Sequence, residues 1–526
     1  MSSTPVILLG LDAGDIVLIE QWAAQGMLPT FASLLSKAAH GRLETSASVL
    51  QASVWPSFAT ACNPGKHGSY FLMQMRNGSN AIRRIRGNDL QRPPFWAGLK
   101  GPQETAVVID VPKMSPFSDM NGVQVVEWGT TDHYWTYTTV PTSLAKPLLQ
   151  EFGPHILLNE HAPPTTIDGY LRLKQQLLQG VDMKHRLHLE FLRRYHPRVF
   201  VSVFGESHVA GHYFWRFTDP YHPDHHKHPQ ANYALFDVYA ALDRAVGEVF
   251  DTYSQQANCF VFSGHGMTAD YHPYFIVDEL LCRMGLTIRG PSATASQSAA
   301  SGQLPRALMR TISEAMPQPI KRFANRYVLS AGAREYFMLL KTLHGIDFSR
   351  TQAFALPTDL QGFIRLNLQG REPEGVVSPQ HYEMLCDTIV QEFQTLRDAS
   401  THEPVVETVF RTRSIYPDAD NLDLLPDLCV LWKNTRPVSQ IDSPRYGAFE
   451  VHQNSYERSG NHRLEGFWFA AGPDIDTTVQ GYRGQLYDIA ATVFHLLHKP
   501  IPDDWDGTPL PIVAKSVGQN LGAPTL

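Results

Sequence analysis

PVILLGLDAGD, residues 5–15, is an apolar run that stops at a charged residue. Val6 to Leu11 offer no polar face, so a strand here is covered on both sides, as strands of parallel sheets are. Asp12 then stands at its carboxyl end, the edge of an open α/β sheet where ligands bind. The pattern returns along the chain. TAVVIDVP (105–112) reaches Asp110, PRVFVSVFGESH (197–208) runs into Glu206 and His208, and NCFVFSGHGM (258–267) carries His265. Segments of helical spacing lie between them, such as ANYALFDVYAALDRAVGEVFDTY (231–253). Strands alternating with helices predict an α/β fold: a mostly parallel central sheet with helices on both faces.

The chain has 526 residues, 43 % of them hydrophobic, which fits one large core with an insertion better than a single small domain. Composition changes near residue 291. PSATASQSAASGQ (291–303) is low in complexity, and 304–350 is helical and locally basic at Lys321, Arg322 and Arg326. The expected organisation is therefore 1–290, the N-terminal part of the catalytic core; 291–350, a helical insertion or cap; and 351–526, the C-terminal part of the core.

A net charge of −7 gives no basic surplus for a nucleic-acid duplex. No apolar run approaches the roughly 18 residues of a membrane span, so no membrane partner is expected. MSSTPVILLGLDAGD lacks a basic n-region and a cleavage site and reads as a first strand rather than a signal peptide. Five scattered cysteines without a C-x-x-C suit a reducing compartment, and a cytoplasmic location is expected. The expected partner is a small-molecule substrate; the sequence does not fix the oligomeric state.

Histidine is abundant, at 23 residues. FGESHVAGHYFW (204–215) spaces Glu206, His208 and His212 as E-x-H-x-x-x-H. His212, His265 and His462 lie far apart in sequence, each close to a glycine where a predicted strand gives way to a turn, and Asp12 occupies the same kind of place. Imidazoles and carboxylates are the ligands of zinc and of borderline divalent metals. A lone histidine is most often structural, but several on one sheet edge point to a metal. DPYHPDHHKHP (219–229) is also histidine-rich, yet its prolines favour a solvated loop, with a substrate-facing rim as the other reading.

These pieces resemble the alkaline phosphatase superfamily, in its type I phosphodiesterase/nucleotide pyrophosphatase branch. VILLGLDAGD is similar to the family's first strand with its metal-binding aspartate. LPTFASLLSKAAHGRL is similar to the following helix and turn. SVWPSFATACNPGKHGSY resembles the helix after the nucleophile with its P-x-x-HG ending. GHYFW, FSGHGM, NHRLEGFWFAAGPDI and YDIAATVFHLLHKPIPDDWDGTPL follow in the family's order. The resemblance implies an alkaline-phosphatase-like sandwich with a bimetal site, usually zinc, in which two ions stabilise the attacking and leaving oxygens. Asp12, His212, His265 and His462 match family ligands. Three positions depart from the pattern: His208 replaces the aspartate of D-x-x-x-H, Gly264 replaces that of S-D-H-G-M, and Gln51 falls on the nucleophile.

The expectation is a metal-dependent hydrolase or group-transfer enzyme acting on a phosphodiester, phosphomonoester or sulfate ester. Its metal ligands are drawn from Asp12, Glu206, His208, His212, His265 and His462. The ion is expected to be zinc, with iron, manganese or copper as alternatives, and one or two ions. If the helix opens at Trp55-Pro56, Ser53 reaches the nucleophile's place; its other role is to cap that helix. Glu206 is the alternative catalytic group, as a base toward water. Two other readings stay open: a repurposed mononuclear metalloenzyme with non-hydrolytic chemistry, and a non-catalytic binding protein.

Overall fold

The structure, a computed structural model, describes residues 3–45, 50–75, 78–130, 136–157, 164–273, 275–290, 343, 345–358, 360–451 and 458–514, without the side chain of Gln51. The expected insertion at 291–350 lies almost wholly outside the described residues. Among them, no helix is long and apolar enough to cross a membrane.

Nine strands form the main sheet: β1 (Val6–Leu11), β2 (Ala39–Glu44), β3 (Ala106–Ile109), β4 (Gly122–Val126), β5 (Thr138–Val140), β6 (Val199–Phe204), β7 (Asn258–Ser263), β8 (Glu465–Ala471) and β9 (Gln480–Gln485). Their order is β9-β2-β8-β7-β1-β6-β3-β4-β5. The centre is parallel: β1 pairs with β6 and β7, and β3 with β4 and β6. Only β8 and the edge strand β5 run against their neighbours. The expected sheet is the observed one.

Pleating sends the residues of β1 into two cores. Ile7, Leu9 and Leu11 join a cluster built with Phe31, Leu187, Phe214 and Val246, whereas Val6 and Leu8 join Trp55, Phe58, Trp96 and Val493 on the other face. Helices α1 (Ile16–Ala24), α2 (Pro29–Lys37), α4 (Ile167–Tyr195), α5 (Glu206–Thr218) and α6 (Ala234–Tyr253) cover the first face. Helices α3 (Val54–Thr60) and α7 (Asp488–Leu496) cover the second. Burial on both faces is the reason β1 shows no polar alternation.

Residues 353–450 do not continue the main sheet. They form a four-stranded antiparallel sheet of Ala353–Leu356, Gly362–Leu366, Val406–Arg411 and Leu428–Trp432, with a small three-stranded sheet beside it. This unit has its own core, including Leu280, Ile364, Ile389, Val430 and Ile441. The C-terminal segment from 351 thus returns to the main sheet only at β8.

The turn after α3 contains a buried histidine that is held neutral. The amide of Ser69 donates to His67 Nδ1 at 3.2 Å, so the ring proton lies on Nε2, 3.0 Å from Ser57 Oγ. Burial pulls the His67 pKa down to about 3 from 6.5. A histidine with a depressed folded pKa lends stability above its unfolded pKa and loses it as pH falls from 6.5 toward 3. By pH 5 the loss is roughly 2 kcal/mol for this one group. Urea midpoints measured at pH 7.5 and 5 should fall less for His67→Gln than for the wild type. Equal falls would remove His67 as a source of acid sensitivity.

Candidate metal centre

Four histidines are delivered to one edge of the sheet by three separate elements. α5 begins directly after β6, so its first turns abut the carboxyl ends of the parallel strands. His208 and His212, four apart, lie on one face of it. His265 follows β7 by two residues. His462 arrives on the strand Gly460–Arg463, which pairs antiparallel with Gly266–Ala269 and sets His462 opposite Met267. Nitrogens of His208, His212 and His462 lie within 4.8 Å of one another, all buried. Among the described residues, no other trio of potential metal ligands converges this way, and the histidines of the 219–229 loop do not. The His265 ring stands 4.6 Å from that of His462, centroid to centroid.

The hydrogen bonds behind these rings fix their tautomers. His208 Nδ1 is 2.8 Å from Asp12 Oδ2, and His212 Nδ1 is 2.8 Å from the carbonyl oxygen of Gly460. A carboxylate and a carbonyl only accept, so both Nδ1 atoms carry the proton. When both rings are neutral, both Nε2 atoms present lone pairs, and they face each other at 2.7 Å. Two lone pairs at that distance repel unless a proton or a metal ion lies between them. The buried Nδ1 atoms of His265 and His462 also have no hydrogen-bond partner. Buried, unsatisfied nitrogens of this kind fit a divalent metal of borderline softness.

The electrostatics agree. Burial, then the charge of Arg458, holds the His212 pKa well below 6.5. His462 is likewise held low by burial and by its histidine neighbours. Burial, reinforced by His208 and Lys113, lowers His265 to about 4 against the pull of Asp12. All three rings are neutral at pH 7, the state a metal ligand requires. Asp12 is buried, which raises its pKa, but His208, His265 and Trp55 outweigh that and hold it ionised.

The expected ligand set is only partly assembled. Asp12 reaches the centre, but Oδ1 accepts from Trp55 Nε1 at 2.7 Å and Oδ2 faces His208. Glu206 does not join the imidazoles. It opens α5 on the side packed against α4, with its carboxylate 3.1 Å from His155 Nε2. Lys184 on α4 adds a fully buried positive charge to this region. Its Nζ donates to the carbonyls of Gly129 and Val203, both at 2.8 Å, and lies 3.1 Å from Asp110 Oδ2. Burial would raise the Glu206 pKa; Lys184 and His155 reverse that and lower it. Glu206 therefore belongs to an internal charge network and not to the cluster where sequence spacing put it.

Ser53 precedes α3, but does not cap it through its side chain. Fully buried, it donates its hydroxyl to the Leu50 carbonyl, inside a short 3-10 turn over Gln51–Ser53. The helix starts at Val54, so Pro56 falls at its third position rather than its first. Sequence reasoning missed Trp55, Lys184 and His155. Trp55 carried the one available signal, an indole N–H two residues from the expected nucleophile turn. Asp132 and His133 lie outside the described residues.

Comparison with solved structures shows the same fold. Phosphonoacetate hydrolase from Sinorhizobium meliloti 1021, in complex with phosphonoformate, aligns with a TM-score of 0.50 at 12% identity, over 94% of this chain and 96% of that chain. The same enzyme in complex with phosphonoacetate gives the same values: 0.50, 12%, 94% and 96%. Murine ectonucleotide pyrophosphatase/phosphodiesterase 5, in complex with AMP, aligns with a TM-score of 0.46 at 11% identity, over 95% of this chain and 96% of that one. Curated proteins give no match. Residues 6–462 match the family described as type I phosphodiesterase / nucleotide pyrophosphatase, a span that takes in every histidine of the centre. The chain belongs to the type I phosphodiesterase/nucleotide pyrophosphatase family of the alkaline phosphatase superfamily.

Proposed function

We propose that this protein is a metal-dependent phosphoester hydrolase whose ion is held by His208, His212 and His462, with His265 beside them. Family membership supports a hydrolase of the phosphodiesterase/pyrophosphatase type. The observation that carries the metal is the meeting of the His208 and His212 lone pairs at 2.7 Å, with His462 adjoining. A divalent ion bound there supplies Lewis acidity toward an ester oxygen. The chain's own residues hold the rings. Asp12 and the Gly460 carbonyl keep a proton on each Nδ1 and so keep each Nε2 available. Lys113 and Arg458 add positive charge beside His265 and beside His212 and His462. That field suits an anionic ester: a phosphodiester, a phosphomonoester or a sulfate ester. Because the phosphonoacetate hydrolase fold is similar, small phosphonates join the first assays.

Purified protein loaded separately with zinc, manganese or iron should hydrolyse at least one aryl ester of these classes. Metal-loaded protein inert toward all of them would overturn the hydrolase reading. A nitrogen-rich set also suits redox-active ions, so a single bound iron or copper in inert protein would favour the mononuclear, non-hydrolytic reading.

The nucleophile is open to direct test. With its hydroxyl buried and given to Leu50, Ser53→Ala is expected to keep its metal and most of its turnover. Glu206→Gln, outside the cluster, should also keep its metal. Loss of turnover with metal retained in Ser53→Ala would instead assign the nucleophile to that hydroxyl.

A further inference from the structure

We propose that Asp12 serves this centre as a positioning residue acting through His208, and that Trp55 and Val54 fill the ground where a second ion would need its ligands. The proposal deepens the metal-hydrolase reading and rests on it. Each oxygen of Asp12 has a partner that competes with a metal. Trp55 Nε1 donates to Oδ1 at 2.7 Å, and His208 Nδ1 lies 2.8 Å from Oδ2. A carboxylate behind a ligating imidazole fixes the ring's tautomer and orientation and raises its basicity.

The other half of a second site is sterically closed. A Cβ at Gly264 would stand 2.4 Å from Val54 Cγ1 and 2.9 Å from Leu486 Cδ2, so a carboxylate side chain there has no room. Trp55, next along the chain, lies over β1. A Cβ at Gly10 would come within 2.7 Å of its indole Cη2. Every residue of α3 is buried, and Lys113 Nζ ties the Ala52 carbonyl at 3.2 Å. The helix start that excludes a side chain at 264 is thus the one that delivers the indole to Asp12. Glycine at 10 and 264, tryptophan at 55 and histidine at 208 form one consistent set, which leaves nitrogen ligands for a single ion.

The test uses Co²⁺ and Zn²⁺ alone, without substrate. Titration of the wild-type protein should end at one ion per chain; two tightly held ions would overturn the proposal without any variant having to fold. Asp12→Asn keeps an oxygen acceptor for His208. It should still bind one Co²⁺, with an unchanged visible absorption band and an affinity lowered about 10- to 100-fold. Trp55→Phe should bind one ion with a smaller loss, under about 10-fold. His208→Ala, which removes a ligand, should change the band. A band change in Asp12→Asn like that in His208→Ala would make Asp12 a ligand and sink the proposal, as would an Asp12→Asn affinity equal to wild type. One Co²⁺ bound by protein inert toward every ester leaves the proposal standing and removes the hydrolase reading. Protein that binds neither ion removes both.

Discussion

Alanine at His212 or at His462 is expected to lower metal affinity by at least about 100-fold, with turnover falling in step. Three nitrogens within 4.8 Å define the centre, and each variant leaves two. The two arrive on different elements, α5 and the strand Gly460–Arg463. His212 has a second duty, since its Nδ1 ties the Gly460 carbonyl and so holds the His462 strand against α5. His212→Ala should therefore loosen that strand, and His462→Ala should be the cleaner measurement. His226→Ala, in the exposed 219–229 loop, is the control and should change nothing. Metal content by elemental analysis decides the matter: full content in both ligand variants would mean that the centre lies elsewhere.

Lys184→Met should destabilise the fold by about 3–5 kcal/mol, the usual cost of removing one partner from a buried ion pair. The methionine fills similar volume, so the effect reports the lost ammonium, both its charge and its hydrogen bonds to the Gly129 and Val203 carbonyls. Lys184, Asp110 and Glu206 have no exposed side-chain surface; the ammonium pairs with Asp110, and its charge also favours the ionised form of Glu206, whose carboxylate pairs with His155. Without it, Asp110 retains the amides of Trp128 and Gly129, at 2.9 and 2.8 Å, but loses its counter-charge. Lys100→Ala provides the contrast. Its partner Asp119 is 73% exposed in the side chain, and the pair should contribute less than about 1 kcal/mol. A urea midpoint for Lys184→Met within error of wild type would show that the network carries no net stability.

Much of this protein was legible in its sequence because the relevant physics is local. A strand buried on both faces needs an unbroken apolar run, and Val6–Leu11 and Asn258–Ser263 have one or nearly so. Candidate ligands are sought after such strands, because in open α/β sheets ligands bind beyond the carboxyl ends of the strands. Asp12, His208, His212 and His265 follow such strands and could be named as candidates before any of them was placed in space; His462 instead lies on the short strand that precedes β8. The order of the family's motifs could be read for the same reason. The division of the chain after residue 351 could not. Antiparallel strands of a smaller sheet and strands returning to the main one show similar apolar patterns, and only their pairing separates them.

What tertiary structure alone decided is which atoms face one another. Glu206 sits two residues before His208, and spacing gave it to the metal; a helix turns successive side chains by about 100°, and a buried histidine, His155, pairs with the carboxylate instead. Asp12 matched a ligand position, yet an indole 43 residues away and an imidazole 196 residues away occupy its two oxygens. Gly264 read as a missing ligand; packing shows that a side chain there would collide with Val54. Sequence determined the kinds of chemistry present and the sheet edge that receives them, since both depend on local pattern. Partnership depended on long-range packing, where a buried charge takes whichever opposite charge or hydrogen-bond donor the fold brings within about 3 Å.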